Sequence, residues 1–191
     1  MLEPKRLKVI NLFGPPGVGK SATRGGVFWL MKSHHQSIEE VTEFAKYLVL
    51  TNQIWRLRDE QLFCLAEQTH RQLILRGQYE YAITDSPLIL QPFYANAAQR
   101  PALLELALQS HEEFDNTNFY LSRDFKDASF ETSGRRHDQA DAERIDEEFR
   151  GYLQVLSIPV QEVPVDDLAP WRIVEALLPG LVTRPYGLTT R

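Results

Sequence analysis

The residues whose types and spacing are best suited to chemistry stand near the start of the chain, where Gly14 to Ser21 read GPPGVGKS. The pattern G-x-x-x-x-G-K-[ST] is a phosphate-binding loop, in which glycines let the backbone curl around an anion and the following helix adds its positive end. We expect Lys20 to reach the β- and γ-phosphates of ATP, and the Ser21 hydroxyl to bind Mg²⁺, which prefers oxygen ligands. The residues expected to contact the nucleotide are Gly14, Gly17, Val18, Gly19, Lys20, Ser21 and Ala22.

A carboxylate ends a later apolar segment, since Asp85 directly follows YAIT. A phosphate-transfer site of this kind needs a carboxylate at a strand end, as a metal ligand or as a base for the acceptor hydroxyl. A structural alternative is an Asx turn at Asp-Ser-Pro. Motor-type ATPases carry a water-activating glutamate after this aspartate, whereas here the next residue is Ser86. The sequence therefore disfavours hydrolysis and favours a substrate hydroxyl as the phosphate acceptor, with Asp85 catalytic and a metal ligand.

Candidate acceptor-binding residues follow the second predicted strand and lie on the helix after it. Glu43 is suited to hold a sugar hydroxyl or to take its proton, and Phe44 to stack on a base. The alternative is a helix start with one buried Phe. Gln68 and Arg71, three residues apart on a predicted helix, are further candidates, with surface exposure as their alternative. Ser86 completes this set.

A basic stretch follows the fourth predicted strand, where Arg123, Lys126, Arg135 and Arg136 fall close together. We expect a small lid over about 122–138, in which cations stabilise the charge of the transferring phosphate. An arginine in such a place is worth roughly 10³ to 10⁵ in rate. Arg123 and Arg135 are the catalytic candidates. The alternative is a solvated loop.

Predicted strands alternate with helices along the chain, which indicates βαβ units and a parallel sheet. Ligands of such sheets bind at the carboxyl ends of the strands, so we expect Gly14–Ser21, Glu43, Asp85 and Arg123 on one edge. The predicted fold is α/β, with a three-layer α/β/α arrangement, a five-stranded parallel sheet and a small basic lid. The domain covers residues 1–178, and 179–191 form an extended tail. The predicted strands cover about 7–13, 38–42, 81–84, 117–121 and 159–163. The predicted helices cover about 20–32, 53–76, 88–98, 101–114, 138–156 and 167–178, and 42–50 is predicted to be a short helix or turn.

Composition sets limits on the partners of this chain of 191 residues. Its net charge of −5 and pI near 5.6 do not favour tight non-specific binding to nucleic acid, which needs many cations. No apolar run approaches the roughly 20 residues that cross a bilayer, so no membrane partner is expected. The single cysteine, Cys64, stands in an apolar helical segment and is expected to be buried, and the absence of a disulfide pattern fits a reducing cytoplasm. The five histidines lack metal-ligand spacing, and we assign no zinc site.

Six blocks in order carry a family resemblance: GPPGVGKS, EFAK, AEQTHR, ITDSPL, FYLSR and GRRHDQADAERIDEEF. Together they resemble a family of small P-loop proteins common in bacteriophages. That family is labelled AAA-family ATPases and is similar to nucleoside and nucleotide kinases, including the ribosylnicotinamide kinase and thymidylate kinase groups. The resemblance covers about 7–178. It implies a kinase core with these assignments: Gly14–Ser21 on ATP, Asp85 near metal and acceptor, Glu43 at the acceptor, and Arg123 with Arg135 in a lid. His137 stands where the group often has a glutamine.

The expected function is that of an ATP-dependent phosphotransferase that moves the γ-phosphate to a nucleoside- or nucleotide-type acceptor, in the host cytoplasm if the chain is phage-encoded. One alternative is a kinase that phosphorylates 5-hydroxymethyluridine within DNA during base hypermodification. Another is a nucleotide-hydrolysing ATPase or switch. The chain has no Asn-Lys-x-Asp motif for guanine, and it is short for an oligomeric motor.

Overall fold

The computed structural model describes residues 6–122 and 139–183, which form a five-stranded parallel sheet with helices. The strand order is β2-β3-β1-β4-β5, with parallel pairing of β1 to β3, β2 to β3 and β4 to β5. The predicted sheet is therefore confirmed. The strands are β1 (Lys8–Phe13), β2 (Ile38–Val41), β3 (Tyr81–Thr84), β4 (Asp115–Ser122) and β5 (Gln161–Pro164). The helices in the described ranges are α1 (Lys20–Ser33), α2 (Phe44–Leu50), α3 (Trp55–Asp59), α4 (Gln61–Leu73), α5 (Leu90–Tyr94), α6 (Arg100–Glu112), α7 (Gln139–Val155) and α8 (Ala169–Leu177).

Side-chain polarity along each strand matches its place in the sheet. β3 is buried at every position and β1 at five of its six, as expected of central parallel strands covered on both faces. β2 and β5 lie at the two edges. The glutamates of β2 (IEEV) are partly exposed, and the glutamate of β5 (QEVP) is exposed. Charged side chains on edge strands discourage pairing with another chain.

The single long helix predicted over 53–76 is wrong, because the structure divides it into α3 and α4. The backbone leaves the helical region at Glu60, where φ is −126° and ψ is 48°. The break lets Leu57 of α3 turn back onto the small apolar cluster of Phe44, Leu48 and Cys64. Burial of these side chains outweighs the loss of helical continuity at one residue.

Two compact units make up the chain, and the first comprises Met1–Asn11 and Gln36–Thr117. Within it, Lys8 to Asn11 pair in register with Tyr81 to Thr84. Its main core is apolar and draws on β1, β2, β3, α4 and α6. The core residues are Leu7, Val9, Val41, Leu65, Ala82, Leu88, Ala95, Leu103, Ala107 and Phe114.

The second unit comprises Leu12–His35 and Asn118–Arg191. Here α1 packs along α8, and the approach is so close that a Cβ built on Gly26 would lie 2.5 Å from Pro170 Cγ. The ring of Phe149 on α7 lies 5.9 Å from that of Phe13 and 6.1 Å from that of Tyr120. These contacts place the loop after Phe13 on a packed base.

The first residues of the predicted tail turn back onto α8. Trp171 Nε1 donates to the carbonyl of Val182 at 3.3 Å, and Val182 is buried. Residues 184–191 lie outside the described ranges. Across the residues that are described, no helix combines the length and apolar character needed to span a membrane.

Candidate nucleotide and acceptor sites

The loop between β1 and α1 takes the shape that its glycines permit. Gly14, Gly17 and Gly19 have φ values of 140°, 81° and 107°, a region that side chains disfavour. Val18 N donates to the carbonyl of Pro15 at 3.3 Å, which closes the turn. The backbone therefore curls in the way that a phosphate cradle requires.

The predicted nucleotide residues continue into the first turn of α1, which begins at Lys20. Gly19 occupies the cap position, and it has no side chain with which to satisfy the first amides of the helix. Ser21 and Ala22 are exposed there. Lys20 Nζ folds over the loop and donates to the carbonyls of Gly14 and Pro15, at 2.8 and 2.9 Å. The ammonium and the helix start thus place positive charge at the loop.

Residues at two strand ends of the second unit lie very close to the loop. A Cβ at Gly14 would lie 2.8 Å from the carbonyl oxygen of Leu121 on β4, and one at Gly19 would lie 3.2 Å from Val165 Cγ1 after β5. The segment after Val165 is held by a bidentate ion pair, in which Arg172 contacts both carboxylate oxygens of Asp166 at 2.5 and 2.8 Å. This pair lowers the pKa of Asp166.

In the first unit, the predicted carboxylate Asp85 directly follows β3 and is 4% exposed. Ser86, which is also buried, donates its backbone N–H to Thr84 Oγ1 at 3.1 Å and accepts a long contact of 3.5 Å from Gln91 Nε2. The strand end is thus fixed by the side chain of its own last residue. Sequence analysis did not single out Thr84.

The two predicted acceptor residues on α4 form hydrogen bonds with the turn that contains Glu43. Gln68 is fully buried, and its Oε1 accepts from Phe44 N at 3.1 Å. Arg71 Nη1 donates to Thr42 Oγ1 at 3.1 Å, while its Nε donates to Glu67. The structure therefore brings Glu43, Gln68 and Arg71 together. A direct contact of Gln68 or Arg71 with an acceptor stays a prediction.

Phe44 lies in an aromatic cluster and is 5% exposed. Its ring stacks on Tyr47 at 5.7 Å, meets Phe63 edge-on at 5.4 Å and receives the guanidinium of Arg71 at 5.0 Å. These partners describe a packing role, which was the alternative considered for this residue. Stacking of Phe44 on a base stays a prediction.

Tyr94 on α5 is a neighbour of Glu43 that sequence analysis missed. Burial of the phenol and the negative charge of Glu43 raise the pKa of Tyr94 to about 12. Tyr94 as a whole is nevertheless about half exposed, at 52%. The position of Tyr94, nine residues after Asp85 on the next helix, was the only available sequence signal.

Comparison with known proteins identifies the fold. No family model and no curated protein matches the chain. The chain is similar to the solved deoxyadenosine kinase of M. mycoides with products dCMP and a flexible dCDP bound, at 14% identity and a TM-score of 0.56, over 88% of this chain and 98% of that one. The fold is that of a P-loop NTPase. The APS kinase of Mycobacterium tuberculosis, in complex with AMPPNP and APS, is similar at 13% identity and a TM-score of 0.49, over 91% of this chain and 99% of that one.

The P-loop NTPase fold and the residues present fit a nucleotide with its magnesium ion. Three left-handed glycines, the start of α1 and the Lys20 ammonium suit a polyphosphate. Within the described ranges, no group of three or more His, Cys, Asp and Glu side chains is arranged to hold a metal by itself. A magnesium ion that takes one or two protein oxygens and otherwise phosphates and waters does not need such a group.

The remaining predicted residues divide between described and undescribed parts of the chain. Arg123 and Arg135, with most of the predicted lid, lie outside the described residues, so their role stays a prediction. Cys64 is buried as predicted, and burial raises the pKa of its thiol. The placement of the phosphate loop together with Glu43 and Asp85 on one edge also stays a prediction.

Proposed function

We propose that this P-loop NTPase is an ATP-dependent kinase that transfers the γ-phosphate to a hydroxyl or phosphate of a nucleoside- or nucleotide-type acceptor. The observation that carries the proposal is the loop at Gly14–Ser21, where three glycines with positive φ, the start of α1 and the Lys20 ammonium converge. Ser86 in place of a water-activating glutamate supports transfer to an acceptor over hydrolysis.

In the proposed reaction, an acceptor hydroxyl oxygen bonds to the γ-phosphorus as the bond to the β–γ bridging oxygen breaks, and ADP leaves. The hydroxyl proton passes to a carboxylate, for which we propose Glu43, two residues after the end of β2 and near enough to Tyr94 for its charge to raise the pKa of that phenol. Lys20 exchanges the carbonyls of Gly14 and Pro15 for phosphate oxygens and neutralises the charge that develops on them.

The Ser21 hydroxyl and the Asp85 carboxylate would hold Mg²⁺, which supplies charge neutralisation on the phosphates when it is bound. Ser21 is exposed at the start of α1, and Asp85 follows β3 directly. The lid arginines Arg123 and Arg135 belong to the same proposal, with the role of stabilising the transferring phosphate and excluding water.

Lys20→Ala tests the proposal, with Lys32→Ala on the same helix as the matched control. Transfer of labelled phosphate from ATP is measured against nucleosides, nucleotides and DNA that contains 5-hydroxymethyluridine. We expect Lys20→Ala to lower kcat/KM by about 10² to 10³, because it removes charge stabilisation at the phosphates. Lys32, exposed in the last turn of α1, is expected to be dispensable. Transfer that survives loss of Lys20 would overturn the proposal.

The same acceptor panel separates the two alternative functions. Label that enters modified DNA but no free nucleoside or nucleotide would replace the proposal by the DNA-base kinase. Such an enzyme needs its target base outside the duplex stack. Steady release of inorganic phosphate, unchanged by every acceptor, would replace it by a hydrolysing ATPase or switch.

A further inference from the structure

A buried side chain on α4 connects the two strand ends that carry the candidate carboxylates of the first unit. Gln68 Oε1 accepts from the backbone N–H of Phe44, which follows Glu43. On its other side, Gln68 Nε2 lies 3.4 Å from Thr84 Oγ1, the hydroxyl of the residue that precedes Asp85. One carboxamide thus reaches the flanks of both carboxylates.

Thr84 extends this connection past Asp85. Its Oγ1 also accepts from the backbone N–H of Ser86 at 3.1 Å, so the contacts run from Phe44 N through Gln68 and Thr84 to Ser86 N. Gln68 and Thr84 are both completely buried. Hydrogen bonds in a dry interior are stronger than in water, and leaving any of these groups without a partner is costly.

We propose that Gln68 is a positioning residue, which fixes the spacing between the Glu43 turn and the Asp85 strand end. This inference rests on the proposed function, because it assigns those two carboxylates to the acceptor and the metal. A displacement of about 1 Å at a reacting group can cost roughly 10² in rate, so a rigid link between the two strand ends has a direct kinetic consequence.

The contacts suit a carboxamide, because its oxygen accepts and its nitrogen donates. Glutamate keeps an acceptor for Phe44 N but places an oxygen against the Thr42 carbonyl, which Nε2 meets at 3.5 Å. Leucine keeps about the same side-chain volume but has no hydrogen-bond acceptor and no donor. Arg71, one helical turn further along α4, donates to Thr42 Oγ1 independently of Gln68. The segment that contains Glu43 therefore keeps this hydrogen bond in both variants.

Gln72 supplies a matched control on the same helix. It is 1% exposed, and within the described part of the chain its Nε2 has no hydrogen-bond partner. Gln72→Leu therefore removes a buried carboxamide of the same size without touching either strand end. An effect shared by Gln68→Leu and Gln72→Leu would reflect loss of a buried amide on α4 and would overturn the positioning role.

The first test is amide hydrogen exchange of the isotopically labelled protein, which needs no kinase activity. Phe44 begins α2, so its N–H has no intrahelical acceptor, and its protection reports on Gln68. We expect Gln68→Leu to speed exchange at Phe44 by about tenfold, with exchange in β5 unchanged. Thr84→Val should do the same at Ser86, and Thr84→Ser should restore it. Unchanged exchange at Phe44 in Gln68→Leu would overturn the proposal.

The second test is steady-state phosphate transfer with the acceptor that the panel identifies. We expect Gln68→Leu and Gln68→Glu to lower kcat by about ten- to a hundredfold, with a much smaller change in KM for ATP, because the phosphate loop and Lys20 are not altered. Combining Gln68→Leu with Thr84→Val should cost little more than Gln68→Leu alone, since both interrupt one chain of contacts. A rise in KM for ATP that matches the fall in kcat would overturn the positioning role.

Failure of this inference is distinguishable from failure of the proposed function. If Lys20→Ala leaves transfer intact, the proposed function fails, while the exchange result still stands for Gln68. If Lys20→Ala lowers transfer as expected but Gln68→Leu keeps wild-type kcat, the function stands and the positioning role fails.

Discussion

At Gly14, backbone conformation and close packing restrict the side chain together. Its φ is 140°, and a built Cβ would lie 2.8 Å from a backbone oxygen of Leu121 and 3.0 Å from Val18 Cγ1. Backbone oxygen cannot rotate away as a flexible side chain can. The fold alone therefore requires glycine at this position, apart from the phosphate binding that we propose for the loop.

Gly14→Ala is therefore expected to destabilise the protein by about 2–4 kcal/mol and to abolish nucleotide binding. The physical cause is the sum of strain at positive φ and the clash with Leu121. Urea unfolding and a nucleotide titration monitored by calorimetry measure the two effects. Gly77→Ala is the control, because Gly77 has φ 76° and no described atom within 4 Å of a built Cβ. It should cost about 1 kcal/mol and leave binding intact; equal costs in the two variants would contradict the clash.

Local sequence pattern was enough to propose some of the candidate site residues, and their roles stay predictions. Gly14 to Ser21 form a contiguous loop, and Asp85 is recognisable because a strand precedes it. Thr84 and Tyr94 were not predicted, because Thr84 is linked to the candidate site by the contact with Gln68 and Tyr94 by the charge of Glu43, and both partners are distant in sequence. The burial of Phe44 was open for the same reason: its partner Phe63 lies on a different helix.

At the scale of elements, α1 begins directly after the phosphate loop and packs against α8. The two adjacent glycines of α1 meet different surroundings. A Cβ on Gly26 would lie 2.5 Å from Pro170 Cγ, whereas no described atom lies within 4 Å of one on Gly25. Pro170 stands in the first turn of α8, where a rigid ring cannot move without shifting the helix.

The variants Gly25→Ala and Gly26→Ala should accordingly change stability in opposite directions. We expect Gly25→Ala to raise the free energy of unfolding by about 0.5–1 kcal/mol, because alanine favours a helix and meets free space. Gly26→Ala is expected to lower it by about 1–3 kcal/mol, because α8 must move away. Chemical denaturation of the three proteins gives both values. Stabilisation by both substitutions would show that α8 does not lie against α1 as described.

The types and order of the elements were predictable because the spacing of apolar residues and the residues that end an element, such as glycine and proline, are local features of the sequence. The strands after Leu7 and before Asp85 are apolar runs ended by glycine or by Asp-Ser-Pro, and both are confirmed. The break at Glu60 was not predictable, because no glycine or proline marks it and helical periodicity continues through it. Its cause is tertiary, namely the packing of Leu57 on the cluster of Phe44, Leu48 and Cys64.

At the scale of the whole molecule, we expect the free energy of unfolding to depend on the protonation of a buried histidine that is far from the phosphate loop in sequence. His111 on α6 is 9% exposed, and burial lowers its pKa to about 4 from an ordinary value of 6.5. Its backbone carbonyl accepts from Asn116 Nδ2 at 2.6 Å, and Asn116 in turn accepts from buried Asn11 on β1. The neutral imidazole is therefore part of the folded interior of the first unit.

The sign of the pH dependence follows from the direction of this shift. Between about pH 6.5 and pH 4, the unfolded chain binds a proton at His111 that the folded chain does not, so stability falls as the pH is lowered through that window. The contribution of the lowered His111 pKa to the free energy of unfolding is fully present above about pH 6.5. For a shift of about 2.5 pKa units, the full loss is about 3 kcal/mol, and about 2 kcal/mol of it occurs by pH 4.5.

His111→Gln removes this titration while keeping a polar side chain of similar length. We expect the free energy of unfolding of the wild type to fall by about 2 kcal/mol more than that of the variant between about pH 7 and pH 4.5. Urea denaturation of both proteins at each pH measures this difference, and the carboxylates common to both cancel in it. Since the backbone bond from Asn116 is retained, a constant offset at all pH values would reflect packing alone. Parallel pH profiles would contradict the buried, neutral state of His111.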